Sequence, residues 1–256
     1  MLFPVDPWIR GFGLAPAAPV RLLCFPHAGG TAGYYRPMAA ALAPGVDILA
    51  VQYPGRQERF GERPVGSVGE LADRVADAVR PLLHQPLSLF GHSMGAAVAY
   101  EVALRLQARG HRLRTFFASG QSTPSARRDR GVHALPDDRL AAELERLGAT
   151  DPAILADPEL LDVLLPAIRA DYRAIETYRR SDEPVLDCPV VALTGTADPY
   201  VRVAEAAAWS RLTRHDFAFH ELPGGHFFLD TERDRVCGIL RGHLARSPTA
   251  DRAGRR

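Results

Sequence analysis

Ser93 stands in Gly91-His92-Ser93-Met94-Gly95, a G-x-S-x-G pattern. Acyl-transfer chemistry needs a serine oxygen held clear of the fold, and this pattern provides it by forcing the serine into a strained turn between glycines. A serine hydroxyl is a poor nucleophile at neutral pH, so it needs an imidazole base, itself oriented by a carboxylate. Nine histidines compete for that role. Where such a turn joins a strand to a helix, the chain order is serine, acid, histidine, each at the C-terminal end of a strand. Two loops fit. Thr194-Gly195-Thr196-Ala197-Asp198-Pro199 follows the apolar run Val190–Leu193, and Pro223-Gly224-Gly225-His226-Phe227-Phe228 follows Phe217–Leu222. Asp198 and His226 are therefore the candidate acid and base. His220 falls inside a strand-like run and His243 deep in a final helix, positions that suit packing or surface roles. Asp187 precedes its strand and Asp216 opens the next, so both belong at the wrong end of a sheet for a catalytic cluster. The bland alternatives are a structural serine in a glycine turn and, for Asp198, a turn former ahead of Pro199.

A tetrahedral oxyanion needs two preorganised N–H donors. Met94, directly after the nucleophile, offers one; the glycine-rich stretch Pro26-His27-Ala28-Gly29-Gly30 stands where the second belongs, with Ala28 as the candidate and His27 as a loop-shaping residue. The competing view of that stretch is a plain flexible loop between strand and helix. Cys24, Cys188 and Cys237 are odd in number and match neither a disulfide framework nor metal-ligand spacing, so no metal and no cofactor are expected.

These residues need elements to hold them. Val20–Phe25 and Val46–Gln52 are short apolar runs ended by proline, the pattern of parallel strands covered on both faces. Tyr34–Ala43 can make a short helix between them. Ser67 with Glu70 forms a capping box, after which Leu71, Val75, Val79 and Leu82 make one apolar stripe. Leu87–Gly91 is a strand running into the Ser93 turn and the helix-forming Ala96–Arg109. Leu113–Ser119, Val190–Gly195 and Phe217–Leu222 read as further strands, with a helix over Val203–Arg211. Ser122–Pro184 breaks the alternation. It holds helix starts at Asp137, Asp151-Pro152 and Asp157-Pro158, where Asp caps and Pro takes the first helical position, and Leu161, Leu165, Ile168, Tyr172 and Ile175 share one face, with Pro166 as a kink. The expected fold is α/β, of the α/β-hydrolase type: a mostly parallel central sheet flanked by helices, with a helical lid insertion. Residues 1–246 are expected to form one domain, with a core over about 20–121 and 185–246, a lid over about 122–184, and a frayed tail at 247–256.

Composition narrows the partners. With 31 Lys and Arg against 30 Asp and Glu, the net charge of +1 provides no overall field for nucleic acid or membrane. The amino terminus lacks a basic stretch followed by an unbroken apolar run, and no window reaches the length of a membrane span. A cytoplasmic monomer is expected.

Taken together, Pro26–Gly30, Gln52-Tyr53-Pro54-Gly55-Arg56, Gly91–Gly95, the Asp198 loop and Gly224-Gly225-His226-Phe227 resemble the type II thioesterases, stand-alone editing enzymes of polyketide and nonribosomal-peptide assembly lines. The resemblance runs from about Val20 to Leu244, and Ser93, Asp198 and His226 match the family triad while Ala28 and Met94 match its oxyanion donors. It implies a substrate, acyl groups in thioester linkage to the phosphopantetheine arm of acyl or peptidyl carrier proteins, and a lid over the acyl pocket. Carrier proteins are generally acidic, which makes Arg127, Arg128 and Arg130, with Arg179 and Arg180, candidates for a docking rim. A solvated face with Asp129 and Asp182 interleaved is the alternative. The triad alone does not choose an acyl donor, so a medium-chain fatty-acyl thioesterase, a small-ester esterase and a catalytically silent docking module remain open.

Overall fold

The computed structural model describes residues 2–126, 129–148, 156–180 and 182–245. In chain order the strands are β1 (Phe3–Asp6), β2 (Ile9–Gly11), β3 (Arg21–Phe25), β4 (Asp47–Val51), β5 (Leu87–His92), β6 (Phe116–Ser119), β7 (Val190–Gly195) and β8 (Phe217–Leu222). The helices are α1 (Arg36–Leu42), α2 (Val68–Ala78), α3 (Met94–Ala108), α4 (Asp137–Leu147), α5 (Pro158–Thr177), α6 (Val203–Ala207), α7 (Phe228–Thr231) and α8 (Arg233–Ala245).

The strands form one sheet in the order β1-β2-β4-β3-β5-β6-β7-β8. From β4 to β8 every pairing is parallel, and β3 to β7 are buried along their whole length, as their predominantly apolar sequences suit. One face packs under α2 and α3, where Val68, Leu71, Val75, Val98 and Val102 meet Leu23, Leu89 and Phe116. The other packs under α1 and α8, where Met38, Leu42, Val236 and Leu240 meet Leu22, Phe90 and Phe117. Parallel pairing leaves every C-terminal strand end on one edge, and the loops that follow β3, β5, β7 and β8 converge there.

Several local expectations hold. Ser67 caps α2 by accepting from the Glu70 N–H (3.4 Å), and Asp157 caps α5 by accepting from Glu159 and Leu160, with Pro158 at the first helical position. Helix α5 runs on through Pro166. Three points differ. The antiparallel hairpin β1–β2, paired onto β4, was not anticipated, because strands of four and three residues around Pro4 and Pro7 are too short to show a period. The cap of α4 is Pro136, with Asp137 the first helical residue and no side-chain cap, so Asp137 is an acid in the first turn that pairs with Arg169 rather than a cap. The stripe after Ser67 outlasts its helix: Val79 and Leu82 are buried, but α2 stops at Ala78 and a 3-10 turn over Arg80–Leu82 carries it on. The start at Asp151-Pro152, the side chains of Arg127 and Arg128, and the tail from residue 246 lie outside the described residues.

The insertion forms its own small core. Leu165, Ile168 and Tyr172 of α5 pack with Leu140 and Leu144 of α4 and with Val132, and Ala28 of the loop after β3 leans on that cluster. No helix among the described residues is long and apolar enough to cross a membrane.

Candidate active site

Strand β5 delivers Ser93 into a turn and α3 leaves it, so the serine has φ 54° and ψ −124°, outside the ordinary wells for a residue with a side chain. Such conformations cost of order 1–3 kcal/mol and persist only where the surroundings impose them. The surroundings here are backbone. A Cβ on Gly95 would lie 2.0 Å from the Phe25 carbonyl oxygen, and one on Gly91 would lie 2.4 Å from Ala96 Cα. The glycines therefore let the turn and the first turn of α3 press against β3, while the Ser93 N–H donates to the Ser119 carbonyl (2.8 Å).

The loops after β7 and β8 bring the other two candidates to this point. His226 Nε2 lies 2.8 Å from Ser93 Oγ, and His226 Nδ1 lies 2.8 Å from Asp198 Oδ2. A carboxylate only accepts, which assigns the proton to Nδ1 and leaves Nε2 free to accept from the serine. The second carboxylate oxygen of Asp198 accepts from the Tyr200 N–H (2.7 Å) and the Val201 N–H (3.1 Å). The acid and the imidazole are almost fully buried, at 0% and 3% side-chain exposure. Ser93 and His226 open onto a cavity of about 830 Å³, including its mouth, whose walls include Val132, Tyr172 and Ile175 of the insertion facing Tyr200, Val201 and Phe227 of the body.

A model of the family described as "Thioesterase domain" matches residues 20–244. The chain belongs to the thioesterase domain family. Among curated proteins, this thioesterase is 45% identical over 239 residues to thioesterase PikA5 of Streptomyces venezuelae, covering 93% of this chain and 85% of that protein. It is 46% identical to a probable cadicidin biosynthesis thioesterase of Streptomyces griseus, covering 90% of this chain but only 63% of that protein's length. Among solved structures it is similar to the type II thioesterase BorB from the borrelidin biosynthetic cluster, with 48% identity, a TM-score of 0.88, and coverage of 94% of this chain and 99% of that one. The resemblance to type II thioesterases drawn from the motifs therefore holds, the fold is that of the α/β-hydrolases, and the chain is a thioester hydrolase.

The remaining sequence candidates fall where the thioesterase's topology sends them. Ala28 and Met94 both sit beside the serine turn, and neither N–H donates to another described residue in the folded chain. Asp187 lies at the opposite end of the sheet, paired with His215 (2.6 Å), and the Asp216 carbonyl accepts from Val190 N where β7 begins. His220 and His243 face each other (3.3 Å) away from the site. His27 is buried against Tyr34, His92 and Phe227; burial first, then the neighbouring His226 and Arg56, push its pKa down to about 3, so it is no general base near neutrality. His92 is held neutral in the same way, by burial and then by His226 and His27, with its Nδ1 3.0 Å from Ser119 Oγ. Among the described candidates for a docking rim, Arg180 pairs with Glu101 (2.7 Å) and Asp182 (3.0 Å), and Arg130 donates to the Tyr200 carbonyl (3.0 Å).

Two features at the site escaped sequence reasoning. Tyr200 sets its ring edge against His226 (5.4 Å between centroids) and donates its hydroxyl to Glu143 of α4, tying the acid loop to the lid. Arg56 and Asp171 form a buried ion pair behind the Ala28 loop. A signal did exist for the pair, since Asp171 is a charge placed between Ile168 and Tyr172 on the apolar side of α5. Asp129, His133 and Glu176 bring donor atoms within 4.8 Å of one another, but Glu176 already accepts from Val132 N, His133 N and His133 Nδ1, a knot that fastens the turn over Val132–Ala134 to α5.

Proposed function

We propose that this thioesterase hydrolyses acyl groups carried as thioesters on the phosphopantetheine arm of carrier proteins, clearing groups that stall a polyketide or nonribosomal-peptide assembly line. The observation that carries the chemistry is the continuous relay from Ser93 Oγ through His226 to Asp198, opening on a cavity under a helical lid. In this scheme His226 Nε2 takes the Ser93 proton as Oγ attacks the thioester carbonyl. The N–H groups of Ala28 and Met94 receive the oxyanion, and Asp198 steadies the imidazolium. Collapse expels the thiolate, which leaves with the proton from His226 as free thiol. Water, deprotonated by the same nitrogen, then attacks the acyl-Ser93 ester, and the acid is released with Ser93 restored. Support for the carrier-bound substrate is the family membership together with relatives named for cadicidin biosynthesis and for the borrelidin biosynthetic cluster.

The test is Ser93→Ala assayed on propionyl carrier protein. The variant should keep the wild-type melting temperature and lose at least about 10³-fold in turnover, and a fluorophosphonate should label the wild type at Ser93 only. Retained turnover in the variant would remove Ser93 from the nucleophile role.

A further inference from the structure

The mechanism above makes no use of Arg56 and Asp171, yet both are charged and nearly sealed from solvent, at 3% and 1% exposure. They meet in a two-pronged pair, Arg56 Nη1 to Asp171 Oδ2 (2.6 Å) and Arg56 Nη2 to Asp171 Oδ1 (2.9 Å). Burying two charges is costly, and a close pair repays it only where the geometry is good and remaining valences are filled. Arg56 Nε donates to the Pro54 carbonyl (3.4 Å), and two further bonds go to the loop after β3. Asp171 Oδ2 accepts from the Gly29 N–H (2.8 Å), and Arg56 Nη1 donates to the Gly30 carbonyl (3.2 Å). Gly30 in turn donates its N–H to the His27 carbonyl (2.9 Å). That carbonyl belongs to the same peptide plane as the Ala28 N–H. The chain of contacts thus runs from the ion pair to the orientation of one particular donor.

We propose that Arg56 and Asp171 are positioning residues for the oxyanion site: their pair fixes the Gly29–Gly30 backbone, and through it the plane that aims the Ala28 N–H at the developing oxyanion. The inference rests on the assignment of Ala28 made under the proposed function. It has a consequence for the lid. Asp171 belongs to α5, and Ile168, one turn earlier, packs in the cluster on which Ala28 leans. Helix α5 is then a wall of the oxyanion site, and the donor is aimed only while that helix is seated.

Misaiming a donor weakens the tetrahedral state more than the bound substrate, so the effect belongs in kcat. The test compares Asp171→Ala, Arg56→Lys and a control, Asp47→Asn. The control breaks another buried pair, Arg21–Asp47 (3.0 Å), at the opposite end of β3 and β4. Lysine at position 56 keeps the charge but cannot span both carboxylate oxygens and the Gly30 carbonyl. Each variant is assayed on propionyl-N-acetylcysteamine, and its inhibition is measured with the matching trifluoromethyl ketone, which forms an oxyanion-bearing adduct on a nucleophilic serine. Asp171→Ala and Arg56→Lys should lose about 10- to 100-fold in kcat, less than outright removal of a donor, with KM within about threefold. The ketone should bind more weakly by the same factor as kcat. Asp47→Asn should lower the melting temperature and leave both readouts alone. Unchanged kcat in a folded variant, or a loss of kcat without loss of ketone affinity, overturns the proposal. If Asp171→Ala does not fold, Arg56→Lys reads the same two quantities. An active Ser93→Ala would instead overturn the proposed function itself, so the two failures are separable.

Discussion

Asp198 uses both of its carboxylate oxygens, one on His226 Nδ1 and one on the amides of Tyr200 and Val201, so its orientation is set independently of the histidine. Asp198→Asn should therefore keep the loop in place and still lower kcat on the order of 10⁴-fold, because an amide no longer selects the Nδ1–H tautomer. Asp187→Asn, which touches only pairs with His215 and Arg112 at the far end of the sheet, should stay within about twofold; if it were the crippling change, the acid would be misassigned. His27 makes a different prediction. Its folded pKa, pushed down to about 3 by burial and then by the neighbouring His226 and Arg56, lies below the unfolded value of about 6.5. Between those values the unfolded chain binds the extra proton, so stability is lost as pH falls through that window. From pH 7 to pH 5 the loss due to His27 should be about 2 kcal/mol. Urea unfolding at both pH values should show that slope shrink in His27→Gln, without vanishing, since burial also holds the His92 pKa below its ordinary value.

At the scale of elements, the lid is joined to the body by two kinds of contact. Helix α5 meets the Ala28 loop through buried groups, whereas α4 and the segment around Arg130 meet the acid loop through Tyr200 at a half-exposed edge. Arg130 stacks over the Tyr200 ring (3.9 Å), and the Tyr200 hydroxyl bonds Glu143. The second contact is the easier one to open, since its partners can be rehydrated on parting. Tyr200→Phe should leave the His226 contact with the ring in place and remove the hydroxyl's bonds to Glu143, Tyr172 and Arg146, at a cost of about 1 kcal/mol in stability. Its KM for carrier-bound substrate should change by a few-fold and its kcat by less than threefold. A double-mutant cycle with Glu143→Gln should give a coupling of at least about 0.5 kcal/mol; additive losses would mean the bond contributes nothing.

For the molecule as a whole, the proposed editing role sets the selectivity to be found. Many wrong acyl groups must be removed and the correct, longer intermediates spared, so hydrolysis should be slow, broad and biased toward short chains. Each methylene that fits an apolar wall contributes only about 1 kcal/mol, so rates over acetyl, propionyl, butyryl and hexanoyl groups should change in graded steps. Contacts remote from the thioester help position it, so the same acyl groups should react faster on a carrier protein than on N-acetylcysteamine. A preference for oxygen esters or long-chain coenzyme A thioesters, with no gain from a carrier, would reassign the substrate while leaving the relay intact.

What the sequence by itself determined was everything carried by local pattern. The predominantly apolar runs at Val20–Phe25, Leu87–Gly91 and Val190–Gly195 read as strands covered on both faces, and a serine between glycines at the end of one reads as presented at a turn. Once the strands are parallel, their C-terminal ends share an edge, which is why Asp198 and His226 could be chosen and Asp187 and Asp216 set aside from order alone. The hairpin β1–β2 lay below that resolution, since three or four residues do not establish a period. The partnerships between distant segments were decided only by tertiary structure: Arg56 with Asp171, 115 residues apart, and Tyr200 with Glu143, 57 residues apart. A side chain's partner across the fold depends on how helices and loops pack, not on its neighbours in the chain. Asp171 is legible beforehand only as a charge on an apolar helix face, and what it holds becomes visible only when α5 comes to rest on the Ala28 loop.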